Sequence, residues 1–306
     1  MLADSMLATS GLPLEVLPAA SSATFPDGAH FRIEIPSVEG PGVLAAVLDE
    51  AARRGVTVNR VSQGSGAMLH STAELREMSV MGADAGIEIS LFVGPREEWG
   101  VSAMSRAADG GALHGNIRGL RQLRYAVEDV LRAVECGIRG FLVADIGLLK
   151  VLDDAQGRGE LPGDVVWKLS VMAAPSNPAS VAVVERLGAD TINLPTDLTL
   201  AELAEMRAAT GLPLDLYVEA PDAMGGIVRG EQVADLIAVA APLYVKFGLR
   251  NSRGLYPSGM HLQGDAEAIG REKVRRAMVS MEWLARSGTG FVQSRPGAPG
   301  LGIPQR

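Results

Sequence analysis

Three ionisable side chains stand at or near the ends of apolar, strand-like runs: Asp145 in IRGFLVADIG, Glu219 in LPLDLYVEAP and Lys246 in PLYVKFGLRN. Carboxylates so placed can move protons or hold a hard cation. A lysine can serve as base, Schiff-base amine or anchor for an anion. Glu219, Lys246 and Asp145 are therefore the expected catalytic residues. The run LPLDLYVEAP sharpens the point, because Asp215, Tyr217 and Glu219 alternate with Leu214, Leu216 and Val218. A strand sends successive side chains to opposite faces, so two acids and a phenol share one side. In a parallel sheet covered by helices both sides are buried, and such acids need partners or a task.

The elements that must position these residues follow a regular rhythm. Strand patterns fall at about 31–37, 57–62, 87–93, 139–145, 165–171, 190–194, 213–219 and 242–248, each followed by a helical pattern. Helix boundaries are marked by Gly55, by Ser71 with Glu74 at capping-box spacing, by Asn177-Pro178 and by Thr199. Eight βα units within about 260 residues predict an α/β fold, a (β/α)8 TIM-like barrel spanning 29–288. The rival, an open doubly wound sheet, would carry GxGxxG after its first strand, and none is present. Residues 1–28 lack a period and read as a flexible arm. Residues 289–306, rich in Gly and Pro, read as an extended tail over the surface or across a partner copy in a homo-oligomer. Segment 96–119 is irregular and reads as a functional loop or a short extra strand.

In a barrel the helix-facing side of each strand is apolar, so polar members of each alternation are assigned inward. Arg32, Glu88 and Asp215, early or midway in their strands, suit a buried layer of ion pairs. Strand two is ambiguous, because Asn59 and Arg60 fall on opposite faces. The C-terminal mouth is where barrel enzymes work. There the expected substrate-binding residues are Glu34, Ser62, Arg96, Ser170, Asn193, Tyr217, Arg250 and Asn251, and the expected ligand is a small polar or anionic molecule. Glu34, Asp145 and Glu219 form an oxygen set suited to Mg²⁺ or Mn²⁺. No histidine ends a strand, which argues against zinc and against a Ser-His-Asp triad, although His70 and His114 can reach the mouth from loops.

Bulk properties narrow the partners. A net charge of −8 and a pI near 5.1 argue against nucleic acid or an anionic membrane. The single cysteine, Cys136, excludes an intrachain disulfide and a cysteine-ligated iron–sulfur cluster. No apolar run approaches the roughly 20 residues of a membrane span. The first residues lack a basic n-region, so a cytoplasmic location is expected.

At residues 187–220, LGADTINLPTDLTLAELAEMRAATGLPLDLYVEA, the sequence resembles the U32 peptidase-type family. The shared features are the Leu-Gly-Ala-Asp entry, the Leu-Thr-Leu-Ala-Glu helix start and the alternating acidic strand. The resemblance implies a TIM-like barrel and a hydrolase, specifically peptidase, activity. This chain has Glu219-Ala220 where the family strand ends in His-Gly before a cysteine, and Thr196-Asp197 where an Arg-Glu pair is usual. Hydrolysis thus follows from resemblance, while lyase, aldolase or isomerase chemistry follows from a lysine and carboxylates at the mouth. A non-catalytic barrel with a structural polar interior is the remaining class.

Overall fold

The computed structural model describes residues 2–100, 103–108 and 110–306. Eight parallel strands close into a barrel in sequence order, each paired with its successor and the eighth with the first. They are β1 (Phe31–Pro36), β2 (Arg60–Ser62), β3 (Glu88–Phe92), β4 (Gly140–Val143), β5 (Val166–Leu169), β6 (Thr191–Asn193), β7 (Leu214–Glu219) and β8 (Leu243–Phe247). The (β/α)8 expectation holds strand for strand. Helix α1 (Leu2–Thr9) precedes the barrel. The outer layer is α2 (Pro41–Arg54), α3 (Thr72–Ala85), α4 (Gly119–Glu135), α5 (Ile146–Gly157), α6 (Pro178–Arg186), α7 (Leu200–Ala208), α8 (Val233–Ala240) and α9 (Gln263–Ser287).

Local chemistry explains the boundaries. Ser71 and Thr199 each accept a backbone N–H from a glutamate three residues on, whose carboxylate returns to the cap N–H, as their spacing predicts. Asn177 forms the same reciprocal cap with Ser180, and Pro178 follows it. Helix α2 ends on Gly55 at φ 65°, a left-handed conformation costly for other residues. Between strands and helices lies one continuous aliphatic core, with Ile33, Ile35, Leu44, Ile89, Leu149, Ile192, Leu203, Leu216 and Val245 fully buried. No helix among the described residues is long and apolar enough to cross a membrane.

The ends differ from the expectation. Part of the N-terminal arm is helical, since Leu, Met and Ala are good helix formers, yet α1 buries no residue. The C-terminal tail crosses the floor of its own barrel. Gln293 bridges to Phe31, and Ser294 N–H donates to the Phe31 carbonyl at 3.1 Å. Farther along, the Pro299 carbonyl accepts from Arg32, and Gly302 N–H donates to Glu88 at 3.2 Å. Phe25, Ala29, Tyr244 and Leu301 form a small apolar plug beneath the strands. Within 96–119 the described residues form two short 3₁₀ turns, Glu97–Trp99 and Gly110–Leu113, and no strand; residues 101, 102 and 109 lie outside the described set.

Candidate active site at the barrel mouth

The interior is charged from floor to mouth. Arg60 settles the ambiguity of β2 by pointing inward, with Nε 2.7 Å from Glu88, Nη1 2.9 Å from Asp215 and 3.4 Å from Glu34. Its guanidinium also lies 3.5 Å over the Tyr244 ring. Asn59, on the opposite face, donates to the Ser294 carbonyl and accepts from Ile33 N–H. Lys168 is paired with Glu34 and stands 3.8 Å from Asp215, which also accepts from Thr191 at 2.9 Å. Buried charges are tolerated only when paired, and here Arg60, Lys168 and Lys246 face Glu34, Glu88 and Asp215.

Glu34 is the centre of this array. Its Oε1 accepts from Ser62 at 2.6 Å and lies 3.3 Å from Lys246 Nζ, while its Oε2 faces Lys168 and Arg60. Burial raises the carboxyl, but Lys168, Lys246 and Arg60 outweigh it and hold Glu34 below the usual carboxylate range. Burial pulls Lys168 down to about 7, against the opposing pull of Asp215 and Glu34. Burial also raises the Tyr217 phenol far above its ordinary value.

Above this array opens a cleft of about 1150 Å³ at the C-terminal ends of the strands. Lys246 joins the two regions: it touches Glu34 below, lies 4.3 Å over the Tyr217 ring, and lines the cleft. The Asn193 amide, oriented to suit its neighbours, accepts from Lys246 at 2.9 Å and donates to the Asp215 carbonyl. Ser62, Arg96, Ser170, Asn193, Tyr217 and Arg250 all line the cleft. Arg96 is held between Phe92 (4.0 Å) and Trp99 (3.7 Å), and burial lowers it to about 10. Ser170 accepts Met172 N–H at 3.2 Å. Arg250 is exposed, 3.8 Å from Asp222. Asn251 is exposed outside the lining, its N–H donating to Asp222 at 2.6 Å. His114 lines the cleft and bonds the Ser105 carbonyl, whereas His70 is buried beside Gln63.

Two expected catalytic residues are placed elsewhere. Strand β7 carries a bulge between Tyr217 and Glu219, so Tyr217 pairs with inward-facing Lys246 but Glu219 pairs with Phe247, whose ring belongs to the helix-side core. Glu219 accordingly turns toward the outer layer, 3.7 Å from Arg276 of α9, and accepts Arg250 N–H at 3.0 Å. Asp145 caps α5: one oxygen accepts from Leu148 N–H at 2.9 Å and the other from Ile117 N–H at 3.0 Å. Glu34, Asp145 and Glu219 therefore do not converge, and the oxygens of each are taken by cations or N–H groups. No cluster of three His, Cys, Asp or Glu side chains suited to a metal occurs among the described residues.

Sequence reasoning missed Lys273 and Tyr256. Lys273 lines the cleft from α9, donates to the Pro36 carbonyl at 2.7 Å, and is lowered by burial to about 7 despite the opposing charge of Glu39. Its signal was legible: it shares a helical stripe with Ala266, Gly270, Val274 and Ala277, where a lysine is out of place. Tyr256 bonds Ser37 at 2.6 Å, and its ring lies where a side chain on Gly64 would be. Glu39 beneath them accepts Gly64 N–H (2.8 Å) and Ser65 N–H (3.1 Å), and burial raises its carboxyl.

A closed parallel barrel with ionisable groups at its C-terminal mouth has the layout of a TIM-barrel enzyme. The family model of Peptidase family U32 matches residues 117–221, which bears out the U32-type resemblance over that segment. A solved U32 peptidase is 19% identical, with TM-score 0.41, covering 75% of this chain and 82% of its own. A protein from Coccidioides immitis provisionally assigned as a fructose-1,6-biphosphate aldolase is 9% identical, with TM-score 0.51, covering 84% and 91%, a likeness of fold alone. No curated protein matches the chain.

Proposed function

We propose that the chain is an acid–base enzyme for a small anionic substrate, with Lys246 as the group that meets it. The carrying observation is that Lys246 brings a positive charge to both regions, touching Glu34 in the charged interior and lining the cleft above. Glu34, held deprotonated by its cations, orients the ammonium rather than donating a proton itself. A lysine so positioned stabilises negative charge that develops on a substrate oxygen, the step shared by amide hydrolysis and by proton abstraction beside a carbonyl. Lys168, on the other Glu34 oxygen and lowered by burial to about 7, helps hold that carboxylate in place beneath Lys246. Hydrolysis is favoured over lyase or isomerase chemistry by the U32 match.

The test is turnover by NMR in D₂O, using a panel of short peptides and of 2-oxo acids. Peptide cleavage by the wild type, reduced at least about 100-fold in Lys246→Met, fits the size of a lost oxyanion partner. Cleavage or C–H exchange undiminished in Lys246→Met would remove Lys246 from the chemistry.

A further inference from the structure

The cleft has two unlike halves. On the β7–β8 side stand Lys246 and, from α9, Lys273, both lining the cleft, and the charge of Lys246 adds to the burial that lowers Lys273. On the β3–β5 side the inner face changes character toward the mouth. Phe92 on β3 is the register partner of Leu142 on β4, and Leu142 is the partner of Lys168 on β5. With Ala144 and Met172, Phe92 and Leu142 form an apolar cluster separate from the main core. Phe92, Leu142 and Met172 also line the cleft, so this cluster faces ligand space rather than the helices, with the Arg96 guanidinium covering one face of Phe92. An interior otherwise filled with ion pairs has no folding need for an apolar wall at its open end. Acids lining the cleft do not break the cationic half: Glu98 stands 3.8 Å from His114, Asp222 is matched to Arg250, and Asp197 is exposed.

We infer that the substrate is an amphipathic acid, its carboxylate held between Lys246 and Lys273 and its apolar or aromatic body laid on Leu142 and Met172, against the stack of Arg96 on Phe92. This deepens the proposed function and rests on Lys246 being the anchor. The carboxylate can belong to a free acid or to the C-terminus of a peptide ending in an apolar residue. Lys273 keeps N–H donors beyond the one it gives to Pro36, since an ammonium has three. A ring buried on the wall strengthens binding by about 10- to 100-fold over an acid without one.

Calorimetry on the full chain tests this with acetate, 3-phenylpropionate, 3-phenylpropanol and the dipeptide Ala-Phe. The expected result is phenylpropionate at least about tenfold tighter than acetate, with the alcohol at least tenfold weaker than the acid. Met172→Ser, at a half-buried position, should bring phenylpropionate toward acetate and leave acetate unchanged. Lys273→Met should weaken both acids. Tighter binding of Ala-Phe than of phenylpropionate assigns the carboxylate to a peptide, and the reverse assigns it to a free acid; both support the inference. Equal binding of acetate and phenylpropionate, with both lost in Lys246→Met, overturns the inference and leaves the anion-binding role of Lys246 standing. Absence of binding by any acid overturns both.

Discussion

Glu34 on β1 and Lys246 on β8 are register partners whose charged ends lie 3.3 Å apart, and through this pair the closed interior reaches the open cleft. Because Glu34 also faces Lys168 and Arg60, its removal takes a carboxylate partner from three buried cations, whereas removal of Lys246 leaves the pairs of the other two intact. Glu34→Gln should therefore cost about 3–5 kcal/mol of stability, the range for breaking a buried ion pair. Lys246→Met should cost clearly less and act on the ligand instead. Urea denaturation of both variants checks this, and a Glu34→Gln protein within about 1 kcal/mol of wild type would refute the central role of Glu34.

Stability should vary with pH in two windows of opposite sign. Burial raises Asp129 and Asp190 to about 6, above the ordinary aspartate value of about 3.9, so the folded state holds more protons between those values. Their contribution is full below about pH 4 and is lost as pH rises toward 6. Lys168 and Lys273 sit at about 7 when folded against about 10.4 when unfolded. The unfolded chain binds more protons between these values, so stability climbs from about pH 7 toward 10. The unfolding free energy should pass through a minimum near pH 6–7. A monotonic curve from pH 5 to 9.5 would count against these burials.

Glu219 and Asp145 should prove structural. Asp145→Ala removes a helix cap and a partner of Ile117 N–H, costing about 0.5–2 kcal/mol. Glu219→Gln weakens the contacts to Arg250 and Arg276. Both variants should bind 3-phenylpropionate as the wild type does. A tenfold loss in either would return that residue to the site.

Chelation should leave the protein unchanged. The oxygens of Glu34, Asp145 and Glu219 face different regions of the barrel and already have partners. EDTA, or added Mn²⁺, is expected to shift neither the melting temperature nor acid binding. A rise of several degrees with Mn²⁺ would reveal a site of other composition.

The alternation of strand and helix patterns was strong enough in the sequence to give all eight strands, because each strand's outer side must be aliphatic. The same alternation located Lys246, Tyr217 and Asn193. It failed at Glu219, where one extra residue in β7 reversed the face without any Gly or Pro to announce it. It could not choose between Asn59 and Arg60, since the choice depends on acids contributed by β1, β3 and β7. Lys273 lies on α9, outside the strand alternation that marks the mouth, so that pattern does not reach it.

The floor of the barrel bears on how the chain reaches its native state. Arg32 gives its guanidinium to Ser294, Tyr244 and the Pro299 carbonyl, and Glu88 accepts from Gly302. These links join positions more than 200 residues apart, so the guanidinium of Arg32 and one oxygen of Glu88 take their partners from the far end of the chain. Loop closure over such separations is slow. The last segment thus closes the floor of the barrel, supplying a carbonyl to Arg32 and an N–H to Glu88 where the strands themselves offer neither.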